Sequence, residues 1–209
     1  MIPARDALDR LQAGNLRFVS NVRSGQAPTT PPRLDELASV QEPFAIILGC
    51  SDSRVPAEIV FDQGLGDLFV IRVAGNIVAA SQIGSIEFAA ARFSTRLVVV
   101  LGHSQCGAVQ ATLEELQQPS QNQSKNLRFI VDQIRPAVEP LLAVEHGAGR
   151  DGLLRAAVRA NICASVNHLR HGSEVLEDLI AQEGLFIAGA EYSLDTGVVD
   201  FFDTIPEVG

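Results

Sequence analysis

With 209 residues, 46% hydrophobic and 20% charged, the chain is long enough to bury a substantial core and too apolar to be disordered. Its net charge of -9 argues against nucleic acid and anionic membrane surfaces as partners, because both are met by clustered Lys and Arg. No apolar run approaches the ~20 residues of a membrane span, and the first residues lack the apolar core of a secretory signal, so the chain reads as cytoplasmic.

Residues 4–20 place Ala7, Leu8, Leu11, Leu16, Phe18 and Val19 at helical spacing. The Pro-rich stretch SGQAPTTPPR (24–33) follows and is too polar for a core. This predicts an N-terminal helical arm and connector over 1–32, packing away from the main body against a partner subunit. A single α/β domain is predicted over 33–209.

Four short apolar runs, each bounded by turn residues, read as strands: FAIILG (44–49), LFVIRVAG (68–75), RLVVVLG (96–102) and LFIAGAEY (185–192). The first three are almost continuously apolar, as in strands buried on both faces of a parallel sheet. SIEFAAARF (85–93) and AVQATLEELQ (108–117) read as the helices between them, and 124–182 as a long helical region whose first part Pro136 and Pro140 break. Within it, LLRAAVRANICASVNHLR carries Leu153, Ala157, Ala160 and Ala164 along one stripe, with Cys163 in the core. The closing LDTGVVDFF reads as a turn into a short final strand. The predicted fold is α/β: a mostly parallel sheet of four strands plus a short C-terminal edge strand, flanked by helices.

Two strands end in metal-ligand side chains. FAIILG delivers Cys50; RLVVVLG delivers His103 and, three residues on, Cys106. Sites in open α/β sheets form beyond the carboxyl ends of the strands, so neighbouring strands would bring these three together. Two thiolates and an imidazole suit zinc and leave its fourth tetrahedral position open. Burial as small hydrophobes is the alternative for either cysteine. The start of the helix after Cys106 favours thiolate, and the Gly107 N–H is a candidate anion donor there.

Asp52 and Arg54 lie two apart in CSDSR and project to one side of an extended segment, where they can pair bidentately. A carboxylate so near a ligand can accept from metal-bound water or take the fourth position itself. Arg54 would decide between these. His168 and His171 read as a solvated helix face, and His146 as an exposed loop residue. GHSQC also fits the G-x-S-x-G elbow of serine hydrolases with Ser104 as nucleophile, but its fifth residue is Cys106 and that reading leaves Cys50, Asp52 and Arg54 without a part.

Taken together, CSDSR (50–54), RVAGN (72–76), GSIEFA (84–89) and GHSQCGAV (102–109) resemble the β-class carbonic anhydrases, as do the closing IAGAEYSLDTGVVDF and the N-terminal GNLRFV. The resemblance implies one Zn2+ per subunit on Cys50, His103 and Cys106, with Asp52 and Arg54 as the catalytic dyad and Asp52 a fourth ligand in the closed state only. It implies a carbon dioxide pocket lined by Gln41, Phe69, Ala74, Phe88 and Gly107, and a homodimer or a dimer of dimers. The implied reaction is reversible hydration of carbon dioxide to bicarbonate by attack of zinc-bound hydroxide. Hydrolysis of another small heteroallene and a non-catalytic zinc-binding role are the alternatives. In the tryptophan position of a bicarbonate regulatory site found in some bacterial members stands Ile47, while Arg72 matches that site's arginine, so this form of regulation is not expected.

Overall fold

The structure is a computed structural model that describes residues 2–24, 41–119, 124–143 and 149–202. The connector after Ser24 and His146 lie outside them. Five strands form one sheet: β1 (Ala45–Gly49), β2 (Leu68–Arg72), β3 (Leu97–His103), β4 (Phe186–Tyr192) and β5 (Val199–Phe201). Their order is β2-β1-β3-β4-β5; the first four are parallel, and β5 closes antiparallel on β4. The chain steps from β1 outward to β2, then back past β1 to β3. The crevice at the carboxyl ends of β1 and β3 is thus the topological switch point, where ligands bind in open α/β sheets.

β1 and β3 are buried throughout, as their unbroken apolar runs require. Successive residues serve opposite faces. Ile46, Leu48, Val98 and Val100 pack with α3 (Ala80–Arg92), α4 (Gly107–Gln117), α5 (Lys125–Val138), α6 (Gly149–His171) and α7 (Glu174–Glu183). Ala45, Ile47, Leu97, Val99 and Leu101 pack with α1 (Ala4–Ser24) and the one-turn α2 (Ala57–Val60). β2 is only half-buried because it is the sheet edge.

Four expectations need correction. The N-terminal segment is a helix, but it lies on this chain's own sheet and does not reach away from it. Ala7, Leu8 and Leu11 enter the core of that face, while Leu16 is 70% exposed. The buried Asn15 ties α1 down: its amide donates to the carbonyls of Val60 (3.1 Å) and Gly197 (2.9 Å), and its oxygen accepts from Val199 N–H (2.9 Å). Second, Pro136 does not break α5; it sits exposed within the last turn, where the Asp132 carbonyl it leaves unbonded is on the wet side.

Third, the buried stripe of α6 is Leu154, Ala157, Val158, Asn161, Ile162, Ser165, Val166 and Leu169. Ala164 and Cys163 are exposed on the other side. Asn161 and Ser165 hold core positions, so a stripe traced through apolar residues alone drifts off the true face. Fourth, the apolar run of β2 ends at Arg72; residues 74–76 form a 3-10 turn instead of prolonging the strand.

Helix α6 packs tightly onto the sheet at Gly102. A Cβ there would lie 2.4 Å from Ile162 Cδ1, so only glycine lets the helix settle over the end of β3. That approach carries the core-facing side of α6 to the back of the 74–76 turn.

Candidate metal centre

Register places the donors. Gly49 of β1 lies opposite Arg72 of β2 and Leu101 of β3, so Cys50 leaves one strand end beside the next, where β3 ends at His103. A turn through Gln105, held in the left-handed region at φ 55, returns the chain so that Cys106 caps α4. The donor atoms of Cys50, His103 and Cys106 all lie within 4.8 Å of one another, and all three residues are buried. No other group of three such side chains gathers in this way among the described residues.

His103 is 0% exposed. Its Nδ1 is 2.9 Å from the Ser104 carbonyl, which can only accept, so Nδ1 carries the proton. That leaves Nε2 as the nitrogen available to a metal, buried without a hydrogen-bond partner. A backbone carbonyl fixing the tautomer of a ligating imidazole is the usual supporting contact of a metal site. The two sulfurs point the same way. The Cys106 thiol is the main influence pulling Cys50 down to about 4, outweighing burial, with His103 and the Gly75 amide adding to it. The contact with Cys50, together with burial, pushes Cys106 up. Three donor atoms thus crowd into one buried space, where a divalent cation would satisfy all of them. Two sulfurs and one nitrogen fit zinc.

Asp52 stands at the mouth. Its Oδ1 accepts from the Arg54 backbone N–H (3.0 Å) and Nε (2.9 Å), and its Oδ2 from Arg54 Nη2 (2.7 Å). The Arg54 guanidinium holds this carboxyl well below the usual carboxylate range. Asp52 Oδ2 is 3.9 Å from His103 Nε2, too far for a hydrogen bond.

The segment bearing Cys50 and Asp52 is pinned from β2. Arg72 donates through Nε to the Cys50 carbonyl (3.0 Å) and through Nη2 to the Asp52 carbonyl (2.7 Å). Ile47 is wholly buried on the α1–α2 face. Behind Cys50, the Gly75 N–H lies 3.4 Å from Sγ. Sequence reasoning missed this contact because RVAGN continues an apolar strand pattern, although an Ala-Gly-Asn step was a turn signal.

The other site candidates are distributed as follows. Phe69 and Phe88 meet at 6.3 Å between ring centroids and share Phe93 as a neighbour; Phe88 is 55% exposed. Ala74 opens the turn that supplies Gly75. Gly107 starts α4, with open space where a Cβ would stand. Gln41 is exposed ahead of β1. His168 and His171 are exposed on α6. Ser104 serves the backbone: its hydroxyl accepts from Leu194 N–H (3.0 Å), and its own N–H donates to the Tyr192 carbonyl.

Known proteins are similar to this chain in sequence and fold. A model of the carbonic anhydrase family matches residues 45–199. Carbonic anhydrase 2 of Mycobacterium tuberculosis is 38% identical over 201 residues, covering 95% of this chain and 93% of that protein. Among solved structures, the β-carbonic anhydrase CafA of Aspergillus fumigatus superposes with a TM-score of 0.70 at 26% identity, covering 84% of this chain and 83% of that one. A structure from a study of two tetrameric β-carbonic anhydrases of Sordaria macrospora shares the fold, with a TM-score of 0.71 at 24% identity over 88% of this chain and 93% of that one. With the same fold, a match to nearly the full length of a carbonic anhydrase and a buried Cys-His-Cys cluster at the switch point, the chain belongs to the β-class carbonic anhydrase family of enzymes.

Proposed function

We propose that the protein catalyses the reversible hydration of carbon dioxide to bicarbonate and a proton at one zinc ion per subunit, held by Cys50, His103 and Cys106. The observation that carries this reading is the convergence of those three buried donors beside a carboxylate that Arg54 grips through both oxygens. Zinc, when bound, supplies a Lewis acid that lowers the pKa of water from ~16 to roughly 7. Two thiolates donate more charge than imidazoles would, so activity rises toward alkaline pH.

The chain's own residues do the rest. Asp52, held in place by Arg54, accepts a hydrogen bond from the attacking oxygen and so turns a lone pair toward carbon; a carboxylate has acceptor capacity beyond the bonds Arg54 uses. Ala74 stands at the metal end of the sheet, whereas Gln41 and Phe69 lie toward the amino ends of β1 and β2, so the small apolar wall for carbon dioxide that includes Phe69, Phe88 and Gln41 is completed by residues from both subunits. The Gly107 N–H at the start of α4 faces a substrate oxygen. Released by Arg54, Asp52 is near enough to the donor cluster to close the site as a fourth ligand.

The working unit is a homodimer or a pair of dimers in the cytoplasm. The edge of β2, unpaired among the described residues, and the exposed Phe88 ring support self-association, as does the tetrameric state named for the Sordaria relatives. Stopped-flow hydration of carbon dioxide with a pH indicator, between roughly pH 6.5 and 9, tests the function. Zinc-loaded protein with no hydration at the alkaline end would refute it.

A further inference from the structure

We propose that Asn161 and Ser165 are positioning residues of the metal centre, holding the 74–76 turn so that the Gly75 amide donates to the Cys50 sulfur. The inference rests on Cys50 being a metal ligand.

Two residues of this turn adopt left-handed backbone: Gly75 at φ 70 and Asn76 at φ 44. For asparagine that conformation is tolerated but not preferred, so the turn needs support from outside itself. The support comes from α6. Asn161 Nδ2 donates to the Gly75 carbonyl at 2.8 Å, and Ser165 Oγ donates to the Asn76 carbonyl at 3.0 Å; both bonds are buried. The two side chains are one helical turn apart on a stripe otherwise filled by Leu154, Ala157, Val158, Ile162, Val166 and Leu169. Polar groups placed in such a stripe are costly unless bonded. Both bonds here go to consecutive carbonyls of this one turn.

The same peptide links the helix to the metal ligand. Gly75 receives Asn161 on its carbonyl and offers its N–H to Cys50 Sγ at 3.4 Å. The opposite side is packed shut, since a Cβ on Gly75 would lie 2.7 Å from Ile134 Cδ1 and 3.1 Å from Ala108 Cβ. With the carbonyl held and the flank filled, the N–H has one direction left. An N–H donated to a thiolate stabilises the charged form that a metal requires, lowers the energy of its lone pairs, and fixes the sulfur in place. Contacts of this supporting kind are worth roughly 10–100-fold in metal affinity or activity.

The test uses the full chain loaded with cobalt(II), whose thiolate-to-metal charge-transfer band reports on the sulfurs, and zinc competition against a chromophoric chelator. Asn161→Leu keeps the number and branching of the side-chain heavy atoms and removes the donor. It is expected to move the band to longer wavelength and weaken zinc binding about tenfold. Ser165→Ala should shift both readouts in the same direction by less, and Ser165→Thr, which keeps the hydroxyl, should restore them. If Asn161→Leu does not fold, the serine pair decides alone. Folded variants with the wild-type band and wild-type zinc affinity would overturn the proposal and leave Asn161 and Ser165 as packing residues. Wild-type protein without any thiolate-to-cobalt band would remove Cys50 as a ligand, and the proposal would fall with it, a result separable from the first.

Discussion

Arg54 holds Asp52 through both carboxylate oxygens, with a backbone N–H as a third donor, inside a five-residue stretch that also carries Cys50. This local fork fixes where the carboxylate points, beside the donor cluster and 3.9 Å from His103 Nε2. Arg54→Ala should therefore lower kcat about a hundredfold through loss of placement, with zinc content unchanged. Arg54→Lys should recover little, because an ammonium cannot reproduce the fork. Stopped-flow hydration with metal analysis checks both; full activity in Arg54→Ala would contradict the holding role.

The pH profile separates placement from ionisation. Arg54 depresses the Asp52 pKa, so Asp52 is already charged throughout the neutral range. Removing Arg54 lets that pKa rise toward the ordinary value of about 3.9, still below neutrality. The rate profile of Arg54→Ala between roughly pH 6.5 and 9 should thus keep its shape and lose only amplitude. A new acidic limb in that window would show that Arg54 acts by keeping Asp52 ionised.

Asp52→Ala should bind one zinc per chain and lose most of its hydration rate, since the side chain lies beside the donor cluster without belonging to it. Loss of zinc together with activity would make Asp52 a ligand of the resting enzyme.

Much of this centre could be read from the chain because its parts are contiguous. Cys50, Asp52 and Arg54 fall in one stretch, His103 and Cys106 in another, and parallel pairing of β1 with β3 joins the two. Apolar runs revealed the strands for the same reason: burial on both faces leaves an unbroken signature. What escaped was carried by residues distant in sequence or of the wrong polarity. Asn161 and Ser165 look like interruptions of an apolar stripe until the turn they hold is seen 86 and 89 residues away. The amphipathic pattern of α1 says that one face is buried, but not against what. Its partner is settled by Asn15, whose hydrogen bonds reach Val60, Gly197 and Val199.

Asn15 also makes a stability prediction remote from the site. Asn15→Ala strands a buried Val199 N–H and two carbonyls, and should cost about 2–3 kcal/mol. Urea denaturation should show a lower midpoint at unchanged slope. A loss below about 0.5 kcal/mol would mean that α1 is not anchored as described.

Gly102→Ala places a methyl group on Ile162 and should destabilise the fold by about 1–3 kcal/mol. Adding Ile162→Ala should return part of that loss, giving a coupling that a double-mutant cycle detects. Strict additivity would deny the contact between β3 and α6.

On the proposed function, Cys50, His103 and Cys106 hold one zinc ion on which carbon dioxide hydration depends. Titrating zinc into metal-free protein while following hydration by stopped flow tests it most directly. Activity should be absent at the start, rise in proportion to added zinc, and stop rising at one equivalent per chain. Hydration before any zinc is added, none at full loading, or a break at another stoichiometry would contradict the account.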